Sequence, residues 1–253
     1  MNDSRTTVME LRETFRERMP VKQMPAKVRS LAAGEGSSML LAGLRESVLR
    51  TALEMERLGL TRGTSGNVSA RDPGSGLIAI TPSGLPYTFL APAHITVVDL
   101  DGKVVEGDRK PSSETPMHCA VYRATARGIH AIVHTHSPFA TALSVMNREL
   151  PVITVPLALI GRVPVVPFRL PGSPDLASAV AAVVEQGNPC CLLQNHGLIC
   201  AGPSLEKALE SAVYIEEGAQ AAIYALRRCG QKPGLEMRQE DVRVLTRRPY
   251  EGG

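Results

Sequence analysis

Residues 131–137 read AIVHTHS, an apolar run that ends in two histidines one residue apart, His134 and His136. In an extended chain, residues i and i+2 share a face, so both imidazoles would point the same way with Thr135 opposite. Catalytic zinc takes three protein ligands and keeps a fourth position open. His196, in QNHG, is the best candidate for the third, because it sits at the end of a second strand-like run that can lie beside the first. The chain holds six histidines, and an H-x-H pair alone also reads as two satisfied residues at the rim of a core. His130 falls in the turn before the strand and is expected to be exposed. His118 stands one helical turn after Glu114 and is expected to support a site or the core.

The second candidate is RKPSSETPMH, residues 109–118, where Ser112 and Ser113 follow a proline and precede Glu114 at a helix start. Helix N-terminal N–H groups beside two hydroxyls make a ready anion site. A glutamate at that position is also a plain partner for the helix dipole. Two small, hydroxyl-rich turns form the third candidate: TSGN with Gly66 and Asn67, and TPSG with Ser83 and Gly84. Such turns let backbone N–H groups approach a phosphate, or they serve as ordinary turns.

These residues need elements to hold them. Residues 1–19 could form a polar helix, cut by Pro20, and Pro25 and AAGEGSS continue as a linker. From Leu41 the apolar spacing (Leu41, Leu44, Val48, Ala52, Met55) predicts a helix that stops near Gly59. NVSA, LIAIT and ITVVDL read as strands, and Asp101-Gly102 turns the last back into KVVEG. A helix is expected from Ser113 to Ala126, then the strand AIVHTH, the helix PFATALSVM, and two strands, VITV and VPVVPF. Ser173 can cap PDLASAVAAVVEQG, which ends at Gly187. CCLLQNHGLICAG reads as two strands around an Asn-His-Gly turn. Ser204 caps a long final helix, with Glu206 in its first turn, that runs to about Cys229. Residues 231–253 are polar and lack an apolar period. One mixed α/β domain is the simplest arrangement.

Composition limits the function. The chain of 253 residues is 43% hydrophobic and has no tryptophan, so its core must be built mostly of aliphatic side chains. A net charge of +3, without a dense basic stripe and interleaved aromatics, argues against nucleic acid as a partner. There is no apolar leader and no run long enough to span a bilayer, so no membrane role is expected. Of the five cysteines, Cys119, Cys190, Cys191 and Cys200 lie in or beside apolar runs, without C-x-x-C spacing. They read as reduced core residues of a cytoplasmic protein.

Taken in order, GTSGNVSARD, ITPSG, PSSE, HTHS and QNHGLI resemble the class II aldolase/adducin family, over about residues 41 to 229. The likeness extends through EMERLGLTRGTSGNVS and SLEKALE and leaves an extension at 1–40 and a tail at 230–253. It implies a three-layer α/β/α sandwich around a central, mostly antiparallel sheet, and a homotetramer with active sites between adjacent subunits. It implies zinc on His134, His136 and His196, although manganese, cobalt or nickel also suits imidazole ligands. Glu114 matches the family's catalytic acid/base. Gly66, Asn67, Ser83, Gly84, Ser112 and Ser113 match its phosphate cradle.

The implied activity is metal-dependent cleavage or formation of a C–C bond in a small phosphorylated sugar, a ketose, through an enediolate. Epimerases, dehydratases and decarboxylases of the family share that chemistry, and adducin-like members keep the fold as a binding module. The chain departs from the aldolase branch at Val155, in ITVPLALIG, where a tyrosine is expected. The related epimerases have aspartate where Glu114 stands. Tyr250 in the tail could supply a proton donor to a neighbouring site.

Overall fold

The computed structural model describes residues 39–125, 128–229 and 236–247. The expected N-terminal helix and linker, Ala126 and Tyr250 lie outside the described residues. The chain divides into two units, Met1–Met39 and Leu40–Gly253, and the second carries everything that follows.

Its centre is one eight-stranded sheet in the order β4-β3-β2-β1-β5-β8-β7-β6. The strands are β1 (Asn67–Arg71), β2 (Ile78–Ile80), β3 (Thr96–Val98), β4 (Val104–Glu106), β5 (Ala131–Thr135), β6 (Val165–Val166), β7 (Cys190–Leu193) and β8 (Gly197–Gly202). All pairings are antiparallel except β6–β7, which is parallel, so the sheet is mixed. The helices are α1 (Ala42–Arg57), α2 (Thr115–Ala124), α3 (Pro138–Val145), α4 (Val155–Ala158), α5 (Pro174–Glu185), α6 (Leu205–Cys229) and α7 (Gln239–Arg247).

The period-2 alternation of strand side chains sorts the core. Ile78, Ile80, Ile132, Leu193 and Ile199 from the sheet form one buried cluster with Met117, Val121 and Tyr122 of α2 and Leu176, Val180 and Val184 of α5. Residues out of phase with these, such as Val68, Val133, Leu192 and Leu198, are equally buried. Helices α1, α3 and α6 pack against β1, β2, β5, β7 and β8. The face that carries Ile132 also carries His134 two residues on, so the expected histidine pair starts on the α2 side of the sheet.

Most expected elements are present, with shifted ends. The β3–β4 hairpin forms at Asp99–Lys103, where Asp99 Oδ1 accepts the N–H groups of Asp101 and Lys103. Its ladder carries an irregularity at Val97/Val98. Ser173 Oγ accepts the Leu176 N–H at 3.1 Å, as the cap predicts. The α2 helix begins at Thr115, with Glu114 as its N-cap, two residues later than expected.

Three expectations fail. VITV is no strand: Val155 opens the short helix α4, and Pro156 in its first turn has no N–H for a ladder but fits a helix start. VPVVPF shrinks to the two residues Val165–Val166, because a proline sits on either side. The tail is not without structure: Gln239–Arg247 is helical, with Glu240 and Asp241 in the first turn complementing the helix dipole. The Met237 N–H donates to the Val152 carbonyl at 2.8 Å, which ties this segment to the chain before α4.

Candidate active site

The site lies where β1, β5 and β8 end together beside the start of α2. His134 is fully buried and pairs in register with Asn67 of β1 on one side and Ile199 of β8 on the other. His136 follows directly after β5. His196 precedes β8, in a tight turn closed by its N–H to the Leu193 carbonyl, with Asn195 at φ 56°. That turn throws the His196 ring back over the end of β5. Close backbone approach makes this possible. A Cβ at Gly197 would stand 2.2 Å from the Thr135 carbonyl oxygen, and one at Gly66, at φ +71°, 2.6 Å from that of His134.

The three imidazoles meet edge to face, with ring centroids 4.8 to 4.9 Å apart. Glu114 completes the group, and one ligand atom from each of the four residues lies within 4.8 Å of the others. Glu114 is 5% exposed. Its Oε2 is 3.0 Å from His134 Nε2 and accepts the Asn67 Nδ2–H at 2.9 Å. Its Oε1 lies 3.3 Å from His196 Nε2 but has no hydrogen-bond partner.

Counting protons shows what this group requires. His134 Nδ1 faces the Leu198 carbonyl at 2.9 Å and must donate to it, which leaves a lone pair on Nε2 in the neutral ring. That lone pair faces Glu114 Oε2 and, at 3.0 Å, His136 Nε2. Glu114 Oε2 and His134 Nε2 are then both acceptors, so a cation, either a proton or a metal ion, must sit between them. Three imidazoles and a carboxylate suit a divalent transition metal, and a second nitrogen pinned by a backbone carbonyl is how metal-binding histidines are oriented.

The electrostatics agree. Burial and the neighbouring His134 and His196 push His136 down to about 3, and burial with His134 pushes His196 down to about 4. Both rings are therefore neutral donors near neutral pH. Burial opposes a proton on His134, but the Glu114 carboxylate more than offsets it and raises its pKa. Burial would raise Glu114, yet His134, His196 and the Asn67 amide hold it well below the usual carboxylate range.

The hydroxyl-rich turns come together at the same end of the sheet. Ser83 N–H donates to the Lys110 carbonyl and Ser112 N–H to the Thr81 carbonyl, which straps TPSG to PSSE. The β1–β2 register, Ser69 opposite Ile80, carries Gly66 and Ser83 to this end as well. Ser83, Gly84 and Ser113 are exposed. Ser112 is buried, and its Oγ accepts the Glu114 N–H at 3.2 Å. The Asn67 side chain is turned inward to Glu114 and His118.

Val155, where a tyrosine was expected, is exposed at the start of α4. His130 is half-buried rather than exposed: its N–H donates to the Gly202 carbonyl, and its ring Nδ1 is buried. Cys119, Cys190, Cys191 and Cys200 are free and buried, away from the histidine group. Sequence reading missed Ser69, which bonds His118, and Tyr122, which bonds Ser69. Spacing could have found them, since Glu114, His118 and Tyr122 recur every fourth residue and Asn67 and Ser69 share a strand face.

The sequence matches the Class II Aldolase and Adducin N-terminal domain family over residues 46–223, and the chain belongs to that family. It is 40% identical over 184 residues to a 5-deoxy-D-ribulose 1-phosphate aldolase of Bacillus thuringiensis serovar kurstaki, covering 72% of this chain and 85% of the relative. It is 38% identical over 204 residues to the L-fuculose phosphate aldolase of Escherichia coli strain K12, covering 80% and 92%. A solved L-fuculose 1-phosphate aldolase superposes with a TM-score of 0.76 at 31% identity, over 84% of this chain and 98% of that one. Class II aldolases are metal-dependent lyases, and the chain is an enzyme of that kind.

Proposed function

We propose that this enzyme cleaves a small phosphorylated ketose, reversibly, into dihydroxyacetone phosphate and an aldehyde. The observation that carries the reading is the convergence of Glu114 with His134, His136 and His196 in one buried group. His134, His136 and His196 would hold the metal, zinc by the chemistry of the set, with manganese, cobalt or nickel as alternatives. When bound, that ion supplies Lewis-acid stabilisation of the negative charge that develops on the substrate oxygens.

The chain's own residues do the rest. Cleavage breaks the bond between the carbon beside the carbonyl and the carbinol carbon. The electron pair passes to the carbonyl to leave an enediolate, and the carbinol O–H proton passes to water as the aldehyde forms. Glu114 is assigned the proton delivered to the enediolate carbon, and its removal in the reverse direction. Its Oε1 makes no hydrogen bond and lies 3.3 Å from His196 Nε2, which keeps the carboxylate beside the histidine group where the reaction would take place. Gly66, Ser83, Gly84 and Ser113 are assigned to the phosphate end, which anchors the reacting carbons in place, while Asn67 and Ser112 line that end with their side chains turned to Glu114.

Residues 41–229 are taken as the catalytic domain, with 1–40 as extension and 230–253 as tail. The three-layer α/β/α reading is supported by helix packing on both phases of the strand alternation. A homotetramer with sites between subunits is supported by exposed apolar side chains, among them Phe168, Leu170 and Leu159. A cytoplasmic location fits the free buried thiols. Incubating zinc-loaded protein with 5-deoxyribulose 1-phosphate and L-fuculose 1-phosphate tests the reading, with release of dihydroxyacetone phosphate expected. Epimerised product without cleavage would move the chain to the epimerase side of the family.

A further inference from the structure

Glu114, His118 and Tyr122 lie along one stripe of helix α2 and its cap, turned toward β1. His118 is completely buried. Its Nε2 lies 2.6 Å from Asn67 Oδ1, and its Nδ1 lies 2.6 Å from Ser69 Oγ. Ser69 Oγ is also 2.8 Å from the Tyr122 hydroxyl, which reaches the Ser69 carbonyl at 3.1 Å. No part of the proposed reaction uses His118, Ser69 or Tyr122, yet the chain they form ends on the carboxylate that the reaction needs.

The direction of each hydrogen follows from the chemistry of the groups. An ionised carboxylate only accepts, so Asn67 presents its Nδ2–H to Glu114. Asn67 Oδ1 is then the end that faces His118, and His118 Nε2 must carry the hydrogen. Burial, with His134 nearby, pushes the His118 pKa down to about 3, so the ring is neutral and its Nδ1 accepts. Ser69 must therefore donate its O–H to Nδ1, leaving its oxygen open to the Tyr122 hydroxyl. Every hydrogen from Ser69 onward points at Glu114.

We propose that His118 is a positioning residue for Glu114: by donating Nε2–H to Asn67 it fixes which end of the Asn67 amide meets the carboxylate. Without that donor the Glu114 carboxylate alone holds the amide, which loses its second anchor against rotation. The flipped amide would set Oδ1 against Glu114 and push the carboxylate off its place beside His134. The effect on turnover rests on the aldolase reading, whereas the geometry does not.

The test uses zinc-loaded protein and three variants. His118→Phe fills the space without a donor, His118→Gln restores a donor and an acceptor, and Ser69→Ala removes the hydroxyl that anchors the ring through Nδ1. With a ketose 1-phosphate as substrate, His118→Phe should lose at least about tenfold in kcat, within the range that positioning of a reacting group commands. Its KM and its zinc content should stay near those of the parent. His118→Gln should recover most of the loss. In 15N-histidine spectra the parent His118 should be the single Nε2–H tautomer, and Ser69→Ala should shift its Nδ1 resonance, which loses its donor. The spectra read out even if no ketose phosphate turns over, so failure of the substrate assignment and failure of the positioning role are separable. Should His118→Phe fail to fold, Ser69→Ala carries the test alone, with a lower kcat expected. A folded, zinc-loaded His118→Phe with parental kcat, a His118→Gln as slow as His118→Phe, or an Nδ1–H tautomer in the parent would overturn the proposal.

Discussion

Glu114 Oε2 and His134 Nε2 stand 3.0 Å apart, although the two residues come from the cap of a helix and the end of a strand. Both atoms are acceptors once the His134 Nδ1–H is committed to the Leu198 carbonyl. The pair is stable only around a positive charge, and the proposed metal binding and proton transfer would meet at this one spot.

Replacing Glu114 by Gln keeps the shape and removes the base. Turnover should fall by roughly 10²–10⁴-fold, the usual contribution of a general acid–base group. Zinc should remain, because the three histidines are untouched. Single-turnover kinetics together with metal analysis check both halves, and parental turnover in the variant would take Glu114 out of the reaction.

Ser112 and Ser113 should separate cleanly, since one is buried and the other exposed. Ser112→Ala loses the acceptor for the Glu114 N–H and should destabilise the protein by about 1 kcal/mol. Ser113→Ala should leave stability unchanged. It should weaken a phosphorylated substrate by roughly 1.5–3 kcal/mol, the range for a hydrogen bond to a charged group, and barely affect the dephosphorylated one. Equal losses on both substrates would mean that Ser113 has no part in phosphate binding.

Gly197→Ala should be costly far beyond its size. The new Cβ would meet the Thr135 carbonyl oxygen at 2.2 Å, so β8 must move away from β5. Overpacking of this kind costs on the order of 1–3 kcal/mol, and here it also displaces His196 from His134 and His136. Denaturant unfolding and zinc affinity should both report the change. A variant with parental zinc affinity would show that the β5–β8 approach is not what gathers the ligands.

Acid should unfold the protein in part through His118. Its pKa falls from 6.5 to about 3 on folding, chiefly by burial, so between those values the unfolded chain binds a proton that the folded one refuses. Stability is therefore full above pH 6.5 and is lost as the pH drops toward 3, by roughly 1.4 kcal/mol per pH unit from this group. Calorimetry of metal-free protein should show a shallower acid slope for His118→Gln than for the parent. Identical slopes would mean that His118 is not the buried neutral ring described.

The histidine pair was legible because strand geometry alone puts i and i+2 on one face, and His196 because QNHG sits at a strand boundary. The link from Asn67 to Glu114 was not, since it spans 47 residues and depends on how α2 settles over β1. VITV misled because its β-branched residues outweighed Pro156, whose missing N–H decides for a helix start. The α7 helix escaped notice because its apolar face is only Val242 and Leu245, too few residues to stand out in a polar tail. Its anchor, the Met237 N–H on the Val152 carbonyl, is a backbone contact that no side-chain pattern records.

Cleavage should depend on a metal held by His134, His136 and His196. The direct measurement is release of dihydroxyacetone phosphate from a ketose 1-phosphate, followed before chelation, after it, and after zinc is returned. Activity should vanish with the metal and come back with zinc in the parent, while His196→Ala should neither retain zinc nor recover. Undiminished release from metal-free parent protein, or a His196→Ala protein with full zinc content and parental activity, would contradict the account.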